Sequence, residues 1–191
     1  MSWAMRLAVP PHARAAGIEN ARKYDEHIVR SGQRTAYLEG TSNQRRWAEA
    51  RYGITLTTGT RSQLFWNARC ETIEKTESWN RLVGQRVAIP IDRYGESKPR
   101  PQWYGGDRAW MPGLINRSFN GGIVTLTEDD KEGGRRPIII SDAGAIAWLD
   151  AKNWDALKLV RQLDRCSYSS VDDFEFAQLS NEAKTAPRIA V

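Results

Sequence analysis

The chain has 191 residues, of which 40% are hydrophobic and 27% charged, with a mean hydropathy of −0.60 and a net charge of +5. That is enough apolar material for one well-cored domain, expected to span residues 1–191. No window approaches the ~18–20 apolar residues of a membrane span, and the start MSWAMRLAVPPHARAAG lacks the apolar core of a secretory signal. A cytoplasmic protein with no membrane partner is therefore expected. Two cysteines, Cys70 and Cys166, are too few for a disulfide framework and lack the C-x-x-C spacing of a zinc site, so neither a metal nor a cofactor is expected.

The charge is uneven. Residues 1–70 carry 11 Lys and Arg against 5 Asp and Glu, whereas residues 71–191 carry 17 against 18. Arg45, Arg46, Arg51, Arg61 and Arg69 are interleaved with Trp47, Tyr52 and Trp66. Guanidinium groups grip phosphates bidentately and aromatic rings stack on unpaired bases, a mixture that suits single-stranded nucleic acid. Such Arg-rich stretches also occur as simply solvated faces.

In chain order, IENARKYDEHI (18–28) places Ile18, Ala21, Tyr24 or Asp25, and Ile28 on one side at helical spacing and predicts an amphipathic helix, ended by Ser31 and Gly32. His27 reads there as a surface or packing residue and not a catalyst. Residues 43–50 read as a second short helix. From Gly53 to Ile140 short β-branched runs (ITLTTG, LFW, RVAIPI, AWMPGLI, GIVTLT, RPIII) alternate with turn residues, the pattern of a mostly β core. The segment 142–160 predicts one or two helical pieces with Ser141 or Asp142 as N-cap. The chain turns polar after Cys166, and residues 180–191 are expected to form a loose tail. The fold class expected is α+β, a mostly β core with flanking helices.

Phosphate-binding, Rossmann, zincin and hydrolase-elbow motifs are all absent. What stands out is WNARCETIEKTESW (66–79). If Asn67–Glu71 is a strand, side chains alternate, so Asn67, Arg69 and Glu71 line one surface while Ala68 and Cys70 pack behind it. Cys70 is then a core residue and not a nucleophile.

An ordered series surrounds that segment: Tyr52-Gly53-Ile54, N-A-R-C-E-T at 67–72, Arg86, P-I-D-R-Y-G-E at 90–96, Gly113-Leu114, I-V-T-L-T at 123–127, R-R-P-I-I-I at 135–140 and Trp148-Leu149. It resembles the SOS response-associated peptidase (SRAP) family, whose pattern runs W-G-L-I-P, N-A-R-x-E-T, R-C-x-x-P-x-D-G-F-Y-E-W, A-G-L-W, T-x-x-T-T, H-D-R-M-P and a W-L helix. The resemblance is strongest over residues 50–150 and implies an SRAP-like fold and a DNA-damage (SOS) role. It implies single-stranded and abasic-site DNA as partners. In that family the α-amine of an N-terminal Cys attacks the abasic aldehyde, and its thiol closes a stable DNA-protein crosslink. The same site removes an N-terminal extension, hence the peptidase name.

Carried over by position, Ser2, Asn67 and Glu96 are the candidate catalytic residues: Ser2 stands at the nucleophile position, Asn67 matches the Asn that holds the N-terminus, and Glu96 matches the proton-handling Glu. Arg69, Glu71, Tyr52 and Arg135 are the candidate nucleic-acid-binding residues, Tyr52 standing where the family has a Trp suited to stacking on DNA. The chain also departs from the pattern in its reactive set: Ser2 replaces the Cys, Trp3 follows where the family has Gly, Gly133 replaces the His of H-D-R-M-P, and Ser97 the Trp after the Glu. A free Ser2 α-amine still forms a Schiff base, but a hydroxyl is a far poorer ring-closing group than a thiol. The expectation is at most a reversible imine, open to strand cleavage by β-elimination, with crosslinking and autopeptidase chemistry weakened or lost. The alternative is a non-catalytic DNA-binding or protein-interaction module that keeps only the fold, with Asn67 and Glu96 as a buried hydrogen-bonded pair.

Overall fold

The computed structural model describes residues 3–10, 21, 23–41, 43–58, 60–96, 102–118, 121–129, 134–152 and 156–171. Among these the chain is β-rich with few helices. Its strands are β1 (Trp3–Leu7), β2 (Ile28–Arg30), β3 (Arg34–Glu39), β4 (Arg46–Arg51), β5 (Ile54–Thr58), β6 (Arg61–Phe65), β7 (Asn67–Arg69), β8 (Arg86–Glu96), β9 (Gln102–Ile115), β10 (Ile123–Asp129), β11 (Arg135–Pro137) and β12 (Ser169–Val171). The helices are α1 (Glu77–Asn80), α2 (Asp142–Asp150) and α3 (Ala156–Gln162). None of the described helices is long and apolar enough to cross a membrane.

Ten strands share one sheet, whose main path runs β11-β10-β9-β8-β1-β2; β5 and β6 form a separate hairpin. The long β8-β9 pair is its spine, running from Arg86 opposite Leu114 to Glu96 opposite Gln102. Side chains alternate across this sheet and feed two cores. Val87, Ile89 and Ile91 of β8 and Ile123 of β10 join Met5, Leu7 and Tyr52, while Ala88, Val124 and Leu126 join Ile54, Cys70 and Trp148. A strand apolar on both faces reads as a continuous hydrophobic run, which is how RVAIPI and GIVTLT look in the sequence.

Helix α2 covers the second core. Ser141 caps it, its Oγ accepting the Gly144 N–H at 3.1 Å. At its other end Arg86 donates to the carbonyls of Trp148 (2.9 Å), Leu149 and Ala151, a cation satisfying the orphan acceptors of a helix C-terminus.

One predicted helix is corrected, and another is cut short at its C-terminal end. The 43–50 segment is strand β4, paired residue for residue with β3 from Arg34–Arg51 to Glu39–Arg46. Trp-Ala-Glu-Ala tolerates a helix, but the Trp47 ring packs 5.8 Å from that of Trp110, and strand pairing overrides propensity. Of the 18–28 segment, residues 18–20 and 22 lie outside the described residues, as do residues 11–17, His12 among them, and the tail 180–191. Ala21 is helical, residues 23–26 turn with Glu26 at φ 62°, and Ile28 opens β2. A positive φ in a side-chain-bearing residue stops a helix. His27 is an exposed residue whose Nδ1 lies 3.1 Å from the Asp25 carbonyl oxygen.

Glu49 ties that turn to β4. Its carboxylate accepts the Tyr24 hydroxyl at 2.6 Å and faces Lys23 at 3.0 Å and Arg34 at 2.9 Å. The Tyr24 and Lys23 bonds lead in holding its pKa down to about 2. A carboxyl depressed in the folded state adds stability that is present above its ordinary value of 4.5 and lost as pH falls towards 2. At this partly exposed site the contribution is about 1 kcal/mol or less. Glu49→Gln is therefore expected to melt about 2–4 °C below wild type near neutrality. Melts repeated at pH 3 should show more than half of that gap closed; a pH-independent gap would contradict the assignment.

Candidate functional site

The site is built where β6 passes through Trp66 into β7. Adjacent residues of an extended chain point opposite ways, so Phe65 packs on the core that holds Ile54 and Trp66 on the core that holds Tyr52. The segment then runs parallel to β10, Asn67 opposite Thr125 and Arg69 opposite Thr127, with the Trp66 carbonyl accepting the Thr125 N–H at 3.0 Å. Ala68 and Cys70 are buried, 1% and 3% exposed, so the expected alternation runs through Cys70. Burial, aided by neighbouring Glu71, pushes the Cys70 thiol up to about 12. It is protonated at neutral pH and a poor nucleophile.

The strand ends at Arg69, and this changes the reading of Glu71. Its Oε1 accepts the Asp129 N–H at 3.1 Å, tying the turn to the end of β10. Glu71 is therefore an anchor for that turn and does not continue the surface of Asn67 and Arg69.

Tyr52 is also corrected. Its ring is 1% exposed within the core, so it offers no face to a base. Its hydroxyl lies 3.1 Å from Thr125 Oγ1 and 3.4 Å from Asn67 Oδ1, and Thr125 Oγ1 donates to Asn67 Oδ1 at 2.8 Å. Burial pushes the phenol up to about 12, with the Thr125 bond pulling the other way. Gly53, at φ +119°, turns the chain after Tyr52. A Cβ on Gly122 would meet the Gly53 carbonyl oxygen at 2.2 Å, so the two backbones approach closer than any side chain allows.

Arg135 enters from β11, donating to the buried Thr127 Oγ1 at 2.5 Å. It shares a cleft of about 540 Å³ with Asn67 and Arg69, walled by Gln63, Leu64, Phe65, Trp66, Thr72 and Trp79. The charged residues of that lining are both arginines. Phe65 and Trp79 meet edge to face, 5.7 Å apart at 88°; Trp79 is buried beneath, whereas Phe65 and Trp66 are half-buried. The structure thus joins three of the sequence-predicted residues, Asn67, Arg69 and Arg135, around one opening that presents cations and aromatic surface.

Ser2, Ser97, Gly133 and the side chain of Glu96 lie outside the described residues. The Glu96 backbone pairs with Trp3, the first residue of β1. The Asp92 of the same motif binds Arg6 of β1, Nε to Oδ1 at 2.8 Å, and so ties the N-terminal strand to β8. Thr125 and Thr127 received no role from the sequence; the I-V-T-L-T alternation, with two hydroxyls spaced by two on an apolar strand, was the available signal.

Among solved structures the chain is similar to a phage-related protein from Bordetella bronchiseptica, with a TM-score of 0.66 and 18% identity over 89% of this chain and 94% of that one. A second protein from the same organism matches with a TM-score of 0.63 and 18% identity, covering 89% and 99% of the two chains. At such identity the shared property is the fold. No protein-family model and no curated protein matches the chain.

Proposed function

We propose that this chain is an SRAP-like protein that binds single-stranded DNA in the Arg69–Arg135 cleft and recognises abasic sites, in a DNA-damage response. The observation that carries the reading is one opening that combines two guanidinium groups, the Asn67 amide and the rings of Phe65 and Trp66. Phosphates along a strand meet the cations, and unpaired bases, which every sequence offers, meet the rings. A duplex hides those base faces, so single strands are preferred.

The chemistry proposed is limited to an imine. The Ser2 α-amine adds to the aldehyde carbon of a ring-opened abasic sugar, and water leaves as the C=N bond forms. The backbone of Glu96, at the position of the family's proton-handling Glu, pairs with that of Trp3. With serine in place of cysteine, no thiol closes the ring and the adduct reverts by hydrolysis.

The test uses protein with Ser2 as its first residue, mixed with an abasic single-stranded oligonucleotide and run on a denaturing gel with and without borohydride. Wild type is expected to be trapped only with borohydride, and Ser2→Cys to give an adduct without it. If neither variant forms an adduct, the covalent chemistry is absent and the protein is a binding module.

A further inference from the structure

We propose that Arg46 and Arg117, aligned on the buried carboxylate of Glu39, form a phosphate-binding fork, a second nucleic-acid contact outside the Arg69–Arg135 cleft. It extends the single-strand reading to another part of the surface, since none of the three residues lines the cleft.

Two turns bring the arginines together. Glu39 ends β3 and Arg46 opens β4, and the two are direct cross-strand partners. Arg117 follows β9 in the turn towards β10. There the Asn116 N–H donates to the Gly122 carbonyl at 2.9 Å, and Asn116 Oδ1 accepts the Ser118 N–H at 3.1 Å. Arg46 Nε donates to Glu39 Oε1 at 2.8 Å, and Arg117 Nη2 donates to Glu39 Oε2. Each oxygen of one carboxylate therefore holds one guanidinium group. Tyr37, two residues before Glu39 on the same face of β3, senses all three. Burial and Glu39 push its hydroxyl up, while Arg117 and Arg46 pull the other way.

Exposure divides the three groups. The Glu39 side chain is 4% exposed, against 72% for Arg46 and 48% for Arg117. A buried carboxylate must be paired, but one cation neutralises it, and a second leaves a net positive charge at the surface. A guanidinium carries five N–H donors in a rigid plane, so the bond to Glu39 fixes each group without exhausting it. Ordering an arginine opposes binding, and Glu39 has already ordered both. Two adjacent guanidinium groups match a ligand that gathers anionic oxygens at one point, as phosphate does. The rim is polar: Thr41, Asn43, Gln44 and Ser118 are exposed, and neither turn carries an exposed large apolar side chain among the described residues. A protein partner would centre on such an anchor, whereas nucleic-acid interfaces are polar and positive.

The test titrates a labelled oligothymidine of about 16 nucleotides against Arg46→Ala and Arg117→Ala. Arg34→Ala is the control, an arginine 61% exposed and paired with Glu49. Each fork variant is expected to bind about 10-fold more weakly than wild type, with a salt slope flatter by about 0.7, and Arg34→Ala to change affinity less than about 2-fold. Each single variant leaves Glu39 one cation. Should either fail to fold, Arg46→Lys with Arg117→Lys keeps both charges and supplies the readout. That double variant is expected to bind about 3- to 10-fold more weakly with the wild-type slope, because the planar fork is lost. Fork variants that bind like Arg34→Ala, or a double lysine variant that binds like wild type where that is the readout, overturn the proposal. Loss in the fork variants with none in the Arg69→Ala, Arg135→Ala double variant leaves the fork standing and overturns the cleft reading. If wild type binds no oligothymidine, the single-strand reading falls, and a duplex of equal length, which offers the same phosphates, decides the fork: weaker duplex binding by the fork variants than by Arg34→Ala sustains it, and equal or absent binding overturns it.

Discussion

Replacing both cleft arginines, Arg69→Ala with Arg135→Ala, is expected to weaken single-stranded DNA binding about 100-fold, since each charge-assisted phosphate contact is worth roughly tenfold or more. The two guanidinium groups line the same opening as Asn67 and the aromatic walls. Each also displaces a condensed counterion, so the slope of log affinity against log salt should flatten by about 0.7 per arginine. Single variants should each show half of the slope change, because the sites act on separate phosphates. Arg135 also donates to the buried Thr127, so thermal melts must accompany the titrations. A double variant that melts like wild type and binds with the wild-type slope would place DNA elsewhere on the molecule.

Trp148→Ala is expected to be the most damaging single change to the fold. The ring is 0% exposed, and its Nε1 donates to the Val87 carbonyl at 3.0 Å, joining helix α2 to the spine strand β8. Truncating a buried Trp costs about 3–5 kcal/mol, and here it also leaves a carbonyl of β8 without that donor. For a chain of this size the melting temperature should fall by roughly 6–20 °C. Trp148→Phe keeps most of the volume and loses the donor, so it should fall between wild type and Trp148→Ala. A melt of Trp148→Ala within a degree or two of wild type would mean that α2 is not part of the cooperative core.

The β-rich body was legible because strands buried on both faces print as unbroken apolar runs, as RVAIPI and GIVTLT do. The Ser141 cap was legible because a helix start depends on local chemistry. Strand β4 was not: Trp47, Ala48, Glu49 and Ala50 are compatible with a helix, and only β3 beside them and Trp110 beneath decide otherwise. At the site, Asn67, Arg69 and Arg135 were found from a pattern of types and spacings, and the cleft brings them together. Tyr52 was read as a stacking ring because a tyrosine's identity does not reveal which way it points. Its burial comes from the bridge between Tyr52 and Ile123, a contact between residues far apart in the chain. Glu71 was misplaced for a similar reason, since where a short strand ends depends on its partner, and β7 stops at Arg69.

The most direct test of the cleft as a single-strand site is a fluorescence-anisotropy titration of a labelled oligothymidine, in rising salt, with wild type and the Arg69→Ala, Arg135→Ala double variant side by side. The expected result is binding by wild type that falls steeply with salt, exceeds binding to a duplex of equal length, and is weakened about 100-fold in the double variant. Absence of wild-type binding even at low salt, or equal binding by both proteins, would contradict it.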